Sequence, residues 1–426
     1  MLFLTPKIAA LALFIAAYVL FVFFPARRTL ISVSAVMLLL LFKAISPNDA
    51  LMAINWNVIG IFIGTLAVAD IFMESRAPAF FAELIVDRAK STAWAILFIC
   101  LLTGFISAFV ENVATVLIVA PIVIALTKKL KINPIGPMIA VAISSNLQGT
   151  ATLIGDPPSM LLGGFAKMNF MDFFFYHGKP GIFFAVELGA IFSFFILYLI
   201  FKHYKEKSTL LKVEKIKAYF PSFWLVLLIF VLALSSFFDP GFSCVAGTIC
   251  LFFGLVSLIY KMFTEKKSLG YGITNLDWDT TLFLMAIFIL VGSLTITGWI
   301  DTFSIFLANV IGQNILGGYL LIVITAVVLS SFIDNVPFLA AMLPVALSVS
   351  QRINIDPPLL LFGLLIGASL GGNITPIGAS ANIVACGILK KEGYQVKFGE
   401  FIKIGLPFTL VAVTASCLFV WLIWRP

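Results

Sequence analysis

SNLQGTATLIGDPPS, residues Ser145 to Ser159, interrupts a run that is otherwise apolar on both sides. Its two glycines, two threonines, aspartate and double proline cannot continue an α-helix, because proline removes a backbone donor and forces the preceding residue out of the helical region. The flanking apolar segments place this break at membrane depth, where unpaired backbone is tolerated only if it packs against protein or lines a cavity. A second copy follows 223 residues later: Ser369 to Asn382 reads SLGGNITPIGASAN, so that Gly149 falls on Gly372, Thr152 on Thr375, Ile154 on Ile377 and Gly155 on Gly378. Two breaks in register are an internal repeat, which in a membrane protein points to a transport site.

Composition sets the same frame. With 426 residues, 62% hydrophobic and 11% charged, the chain lacks the polar side chains to cover a water-soluble surface and reads as an all-α polytopic membrane protein, with the lipid bilayer as its first partner. The net charge of +7 does not indicate nucleic acid, since the basic residues sit in short loops between apolar segments. Cys100, Cys244, Cys250, Cys386 and Cys417 show no paired spacing, and His177 and His203 fall at loop edges, so neither a transition-metal site nor a nucleophilic triad is expected. Neither an HExxH nor a phosphate-binding Gly-rich lysine motif occurs, so the chain is not read as an enzyme and needs no cofactor beyond a coupling ion, Na+ or H+.

Taken in order, apolar segments divide the chain into residues 1–202, a basic linker at 203–217, and residues 218–426. Each half reads as five crossings, one of them a broken helix at 136–166 or 357–389, plus a re-entrant hairpin at 92–127 or 316–350. An odd number of crossings inverts the second half relative to the first. Placing the linker in the cytoplasm collects 21 of the 27 Lys and Arg residues on that side, which sets both termini outside, in a plasma (inner) membrane. Amphipathic segments at 75–90, 300–312, 168–176 and 393–401 read as helices lying in the interface.

Each hairpin carries an acid and an Asn at its middle, Glu111 with Asn112 and Asp334 with Asn335, again 223 apart. A carboxylate there is costly against lipid and must face protein or water. Glu111, Asn112, Gly149, Thr150, Thr152 and Gly155 form one expected cation or proton site; Asp334, Asn335, Gly372, Asn373, Thr375 and Gly378 form the other. Neutral oxygens suit a dehydrated sodium ion, and the carboxylates add charge that couples to the membrane potential. Helix N-termini at the breaks favour anions, and the expected substrate ligands are Asn112, Thr115, Asp156, Ser159, Asn335, Ser380 and Asn382, with Ser159 and Asn382 turned into the central cavity. A second reading stays open for the acids: each caps the helix that follows it. Asp156 has no acidic counterpart, Ala379 standing at its position.

In ENVAT (Glu111 to Thr115), GTATLIGDPPS (Gly149 to Ser159), IDNVPF (Ile333 to Phe338) and GGNITPIGASAN (Gly371 to Asn382) the sequence resembles the ion transporter superfamily, specifically its arsenite permease and P-protein branch with citrate-transporter-like relatives. The resemblance implies an elevator-type carrier, a homodimer in which hairpins and broken helices move against a scaffold. It implies a secondary transporter of a small anion or oxyanion, arsenite or a carboxylate among them, coupled to Na+ or H+. Alternatives are a Na+/H+ antiporter of the NhaD type and a di- or tricarboxylate symporter. Dicarboxylate carriers of this resemblance have Ser-Asn-Thr at both tips; here the Asn is kept and the hydroxyls are not, which weighs against multiply charged substrates.

Overall fold

A computed structural model describes residues 5–206, 215–266 and 268–426 and is helical almost throughout. The first half comprises α1 (Pro6–Phe23), α2 (Arg28–Leu41), α3 (Pro47–Ala53), α4 (Trp56–Glu74), α5 (Ala77–Arg88), α6 (Thr92–Ser107), α7 (Asn112–Leu130), α8 (Ile135–Gly149), α9 (Pro157–Ala166) and α10 (Ile182–Phe201). The second comprises α11 (Phe220–Ser235), α12 (Val245–Glu265), α13 (Leu269–Thr274), α14 (Trp278–Ile296), α15 (Trp299–Ile311), α16 (Ile315–Ser330), α17 (Asn335–Arg352), α18 (Pro357–Gly371), α19 (Ser380–Lys391) and α20 (Phe398–Trp424). From α3 and α13 onward the two lists correspond helix by helix: α6 and α16, α7 and α17, α9 and α19 each begin 223 residues apart. Eight helices among the described residues are long and apolar enough to cross a membrane, so the protein is a multi-pass membrane protein. Residues 207–214 of the expected basic linker lie outside the described residues.

Local chemistry starts these helices where it does. Ser91, Asn55, Asp277 and Asn314 each accept a backbone N–H of the turn that follows, opening α6, α4, α14 and α16. The amphipathic segments divide. Residues 75–90 and 300–312 are helices, α5 and α15, but 168–176 is not: a 3₁₀ turn at Met171–Phe173 leads into a two-stranded hairpin, β1 (Phe175–Tyr176) with β2 (Lys179–Pro180). His177 and Gly178, both at positive φ, make its tight turn, a conformation that excludes a helix there. Nor is 393–401 a separate helix. The side chain of Glu400 accepts from the Lys397 N–H, and α20 then runs unbroken from Phe398 to Trp424.

The broken helices form the centre. Every residue of α18 from Pro358 to Gly371 is buried, and α8 is buried along nearly its whole length. α8 packs against α6, α7, α19 and α20, and α18 against α16, α17 and α20. To one side α4 crosses α12 at backbone contact, Gly60 and Gly64 lying against Gly247, Cys250 and Gly254.

At the breaks the freed polar groups are met by side chains in matching fashion. Thr152 donates to the Ala108 carbonyl, and Thr375 to the Ser331 carbonyl, both at the hairpin tips. Ser159 donates to the Gly149 carbonyl at 3.2 Å, and Asn382 to the Gly372 carbonyl at 2.9 Å. The chain folds so tightly back that a Cβ on Gly155 would lie 2.3 Å from the Gly149 oxygen, and one on Gly378 would lie 2.6 Å from the Gly372 oxygen. Gly155→Ala and Gly378→Ala are therefore each expected to destabilise the detergent-solubilised protein by about 1–3 kcal/mol. Gly387→Ala, within α19 and with open space around it, serves as the control in the same thermal melts and should be neutral or stabilising.

Candidate functional site

Both hairpin tips and the starts of α9 and α19 border one cavity of about 460 Å³. Four helix N-termini converge on it: Asn112 and Val113 of α7, Pro157 and Pro158 of α9, Asn335 and Val336 of α17, Ser380 and Ala381 of α19. The wall is completed by the α1–α2 turn, with Arg28, by the start of α14, with Asp277, Asp279 and Thr280, and by Phe62 of α4 and Asn146 of α8.

Arg28 is the cation of this cavity wall and the residue that sequence reading missed. One of its nitrogens forms an ion pair with Asp334 and also reaches Ser380 Oγ at 3.3 Å; the other donates to Thr280 Oγ1 at 3.3 Å. Its guanidinium sits 4.9 Å from the centre of the Phe283 ring. Thr280 in turn donates to Asp277 at 2.6 Å. In the sequence Arg28 looks like ordinary loop charge beside Arg27; nothing local shows that its fork reaches a tip 306 residues on.

All three acids at the breaks and tips cap helices. Glu111 accepts from Ala114 N at 3.0 Å, Asp334 from Val336 N at 3.2 Å and Asp156 from Ser159 N at 2.9 Å. Of the expected substrate ligands, Asn112, Asn335 and Ser380 line the cavity. Thr115, Asp156, Ser159 and Asn382 are fully buried behind it. Thr115 bonds the Val110 carbonyl, while Ser159 and Asn382 turn to carbonyls of the breaks rather than into the cavity, because unwound carbonyls need donors. Of the expected cation ligands, Glu111, Asn112, Asp334 and Asn335 reach the cavity. Gly149, Thr150, Thr152 and Gly155, like Gly372, Asn373, Thr375 and Gly378, form the layer beneath.

Ser107 and Ser145 join that layer, and Asn146 lines the cavity itself. Ser107 bonds Asn112 Oδ1 at 2.7 Å and Ser145 Oγ at 2.8 Å, while Asn112 donates to Asp156 at 3.4 Å. Asn146 crosses between the halves, its amide donating to Asn373 Oδ1 at 2.9 Å and Asn382 Oδ1 at 3.0 Å. Asn146 lies inside the stretch that announced the site, and its polar side chain on a buried helix was the available signal. Among the described residues no group of three or more His, Cys, Asp and Glu side chains is placed to hold a metal ion.

An apolar helical bundle with broken helices and paired tips around a cavity that holds charged side chains in its wall defines a membrane transporter. The sequence profile described as "Citrate transporter" matches residues 18–340 and again 244–426, and the chain belongs to that citrate transporter family. It is 26% identical to an uncharacterized transporter of Mycobacterium tuberculosis over 98% of both chains, and 25% identical to a 46 kDa membrane protein of Mycobacterium leprae over the same share. It is 27% identical to the P protein of Mus musculus, covering 95% of this chain and 59% of that one. Among solved structures it resembles the YdaH transporter of Alcanivorax borkumensis (TM-score 0.57, 16% identity, 86% of this chain and 84% of that). It also resembles MtrF of Neisseria gonorrhoeae (TM-score 0.54, 13% identity, 87% and 81%).

The Arg28–Asp334 pair joins groups that are about one-fifth exposed, deep enough for each to depend on the other. A double-mutant cycle of Arg28→Met and Asp334→Asn, read by thermal unfolding, is expected to show a coupling of about 0.5–3 kcal/mol. Additive effects would mean that the two side chains act independently.

Proposed function

We propose that the protein is a secondary active carrier of a small anion, coupled to Na+ or H+. The observation that carries this reading is the uncapped N-terminus of α19 beside Arg28 on the cavity where α7, α9 and α17 also begin, since a free positive dipole end and a guanidinium together favour an anionic ligand. Carboxylates at Glu111, Asp277, Asp279 and Asp334 on the same wall supply the place for a coupling cation or proton. They also limit how much negative charge the ligand carries, which ranks multiply charged citrate-like substrates lower. The same carboxylates support a second reading, a Na+/H+ antiporter that moves no anion.

The proposed architecture is a pair of inverted repeats moving as an elevator in a homodimer. Contacts between segments support the inversion, because they fall into two sets. Lys128 with Glu392 (2.5 Å), Lys261 with Asp70 (2.6 Å) and Glu74 (2.7 Å), Thr92 with Glu206 and Ser75 with Lys217 join segments assigned to the cytoplasm by charge. Lys179 with Asp356 (3.7 Å), Arg352 with Asp301 (3.0 Å), Trp299 with Lys7 and Trp424 with Pro180 join segments assigned to the outside. In that threading Arg28 and Asp277 lie at the cytoplasmic mouth, and the cavity faces inward. Cys244, exposed between α11 and α12, then lies outside. A membrane-impermeant maleimide is expected to label it in intact cells; labelling only after permeabilisation would reverse the threading.

Reconstituted vesicles with a sodium or proton gradient test the coupling. With acetate, nitrate or succinate as external anion, uptake should follow the gradient, and Glu111→Gln should remove that dependence by at least tenfold. Sodium-driven proton flux with no anion present would instead establish the antiporter.

A further inference from the structure

The two broken helices are alike in backbone and unlike in the groups they present to the cavity. The residue before α9 is Asp156, at φ −152° and ψ 163°; the residue before α19 is Ala379, at φ −145° and ψ 148°. Each is followed by a side chain, Ser159 or Asn382, that bonds the carbonyl of the matching glycine. The positions are structural images of one another, and what the second lacks is the carboxylate.

In the first half that carboxylate is held by Ser159 N and by the amide of Asn112. The first two residues of α9 are Pro157 and Pro158, which carry no N–H. With the third amide taken by Asp156, the start of α9 retains no donor for an outside ligand. In the second half all three features are reversed. No side chain caps α19, and its first residues, Ser380 and Ala381, carry N–H groups at the cavity wall. Asn335, the counterpart of Asn112, is 7% exposed, lines the cavity and forms no side-chain hydrogen bond among the described residues. Ser380 Oγ and Arg28 complete the surroundings, Arg28 with its charge already offset by Asp334.

We infer that Asp156 is a built-in anion filling one of two symmetry-related places, and that the substrate's charged group takes the other, between Asn335, the first turn of α19 and Arg28. This rests on the anion-carrier reading and narrows it. Neutral donors and a guanidinium that already has a partner hold one negative charge, so the ligand is a singly charged oxyanion, whether a monocarboxylate or an inorganic ion. A dianion finds its second place occupied.

The test is thermal stabilisation of the purified full chain by acetate, lactate, nitrate and succinate, since a ligand that binds the native state raises the melting midpoint. At least one monoanion should stabilise the wild type, at a concentration at least tenfold below that at which succinate does; acetate or lactate against nitrate separates the organic from the inorganic source. Ala379→Asp, whose backbone already has the geometry of an aspartate cap, should fold as well as the wild type and lose the monoanion effect by at least tenfold. Asp156→Ala should gain stabilisation by succinate of the same order, and Asp156→Asn serves if the alanine variant does not fold. A wild type that prefers succinate, or an Ala379→Asp protein stabilised by monoanions as well as the wild type, overturns the inference while leaving an anion carrier. No shift with any of the four ions removes the anion-carrier reading itself.

Discussion

A helix broken inside a membrane leaves carbonyls and amides that no water reaches, and every group so freed needs a partner from the protein. That requirement organises this structure. The Gly149 and Gly372 carbonyls are met by Ser159 and Asn382, and the hairpin-tip carbonyls of Ala108 and Ser331 by Thr152 and Thr375. The glycines at 155 and 378 are there because the returning chain passes within contact of the carbonyl six residues back. The threonines that look in sequence like ion ligands are thus first of all the pins that fasten each break to its hairpin tip. Neutral oxygens brought this close can also meet a cation, and the proposed coupling sites use the same atoms.

The same pins determine what can move together. Each hairpin is tied to the break of its own half by threonine, and the two halves are tied to each other by Asn146 bridging to Asn373 and Asn382. At the ends, Lys128 on α7 pairs with Glu392 just past α19. Hairpins and broken helices therefore share a polar framework, as the proposed elevator motion requires of its moving part. Contacts from outside that framework reach the second tip: Arg28 pairs with Asp334, and Tyr18 donates to the Pro337 carbonyl.

Much of this was legible in the sequence, for identifiable reasons. The breaks at Gly149–Asp156 and Gly372–Ala379 could be read because proline and glycine act locally on backbone geometry, and the constant spacing of 223 residues made two weak signals into one strong one. Helix α5 and helix α15 followed from apolar periodicity. The β-hairpin at 175–180 did not, since its cause is the positive φ of His177 and Gly178 rather than any pattern of polarity. The orientation of Ser159 and Asn382 was misjudged because a sequence shows which groups can bind a ligand but not which carbonyls are closer. Arg28 was out of reach altogether: its importance lies in contacts with Asp334 and Thr280, distant in sequence, that the folded chain brings together.

The departures from symmetry carry the proposed specificity. Had both halves kept Asp before the second helix segment, the two places would be filled by the protein and the cavity would be left with no open helix N-terminus at either break. Had both kept Ala, two anionic groups could enter, with the one arginine of the wall already paired. One Asp and one Ala leave one open place beside one arginine, in a cavity whose other charges are negative. In the proposed carrier the ligand and the coupling cation complete each other: a single negative charge at α19 strengthens the field for a cation near the tips, and the cation offsets the carboxylates that would otherwise repel the anion. Coupling in the proposed carrier would then be a property of the cavity's charge balance, set by the difference between two positions, 156 and 379, that the repeat would otherwise have made the same.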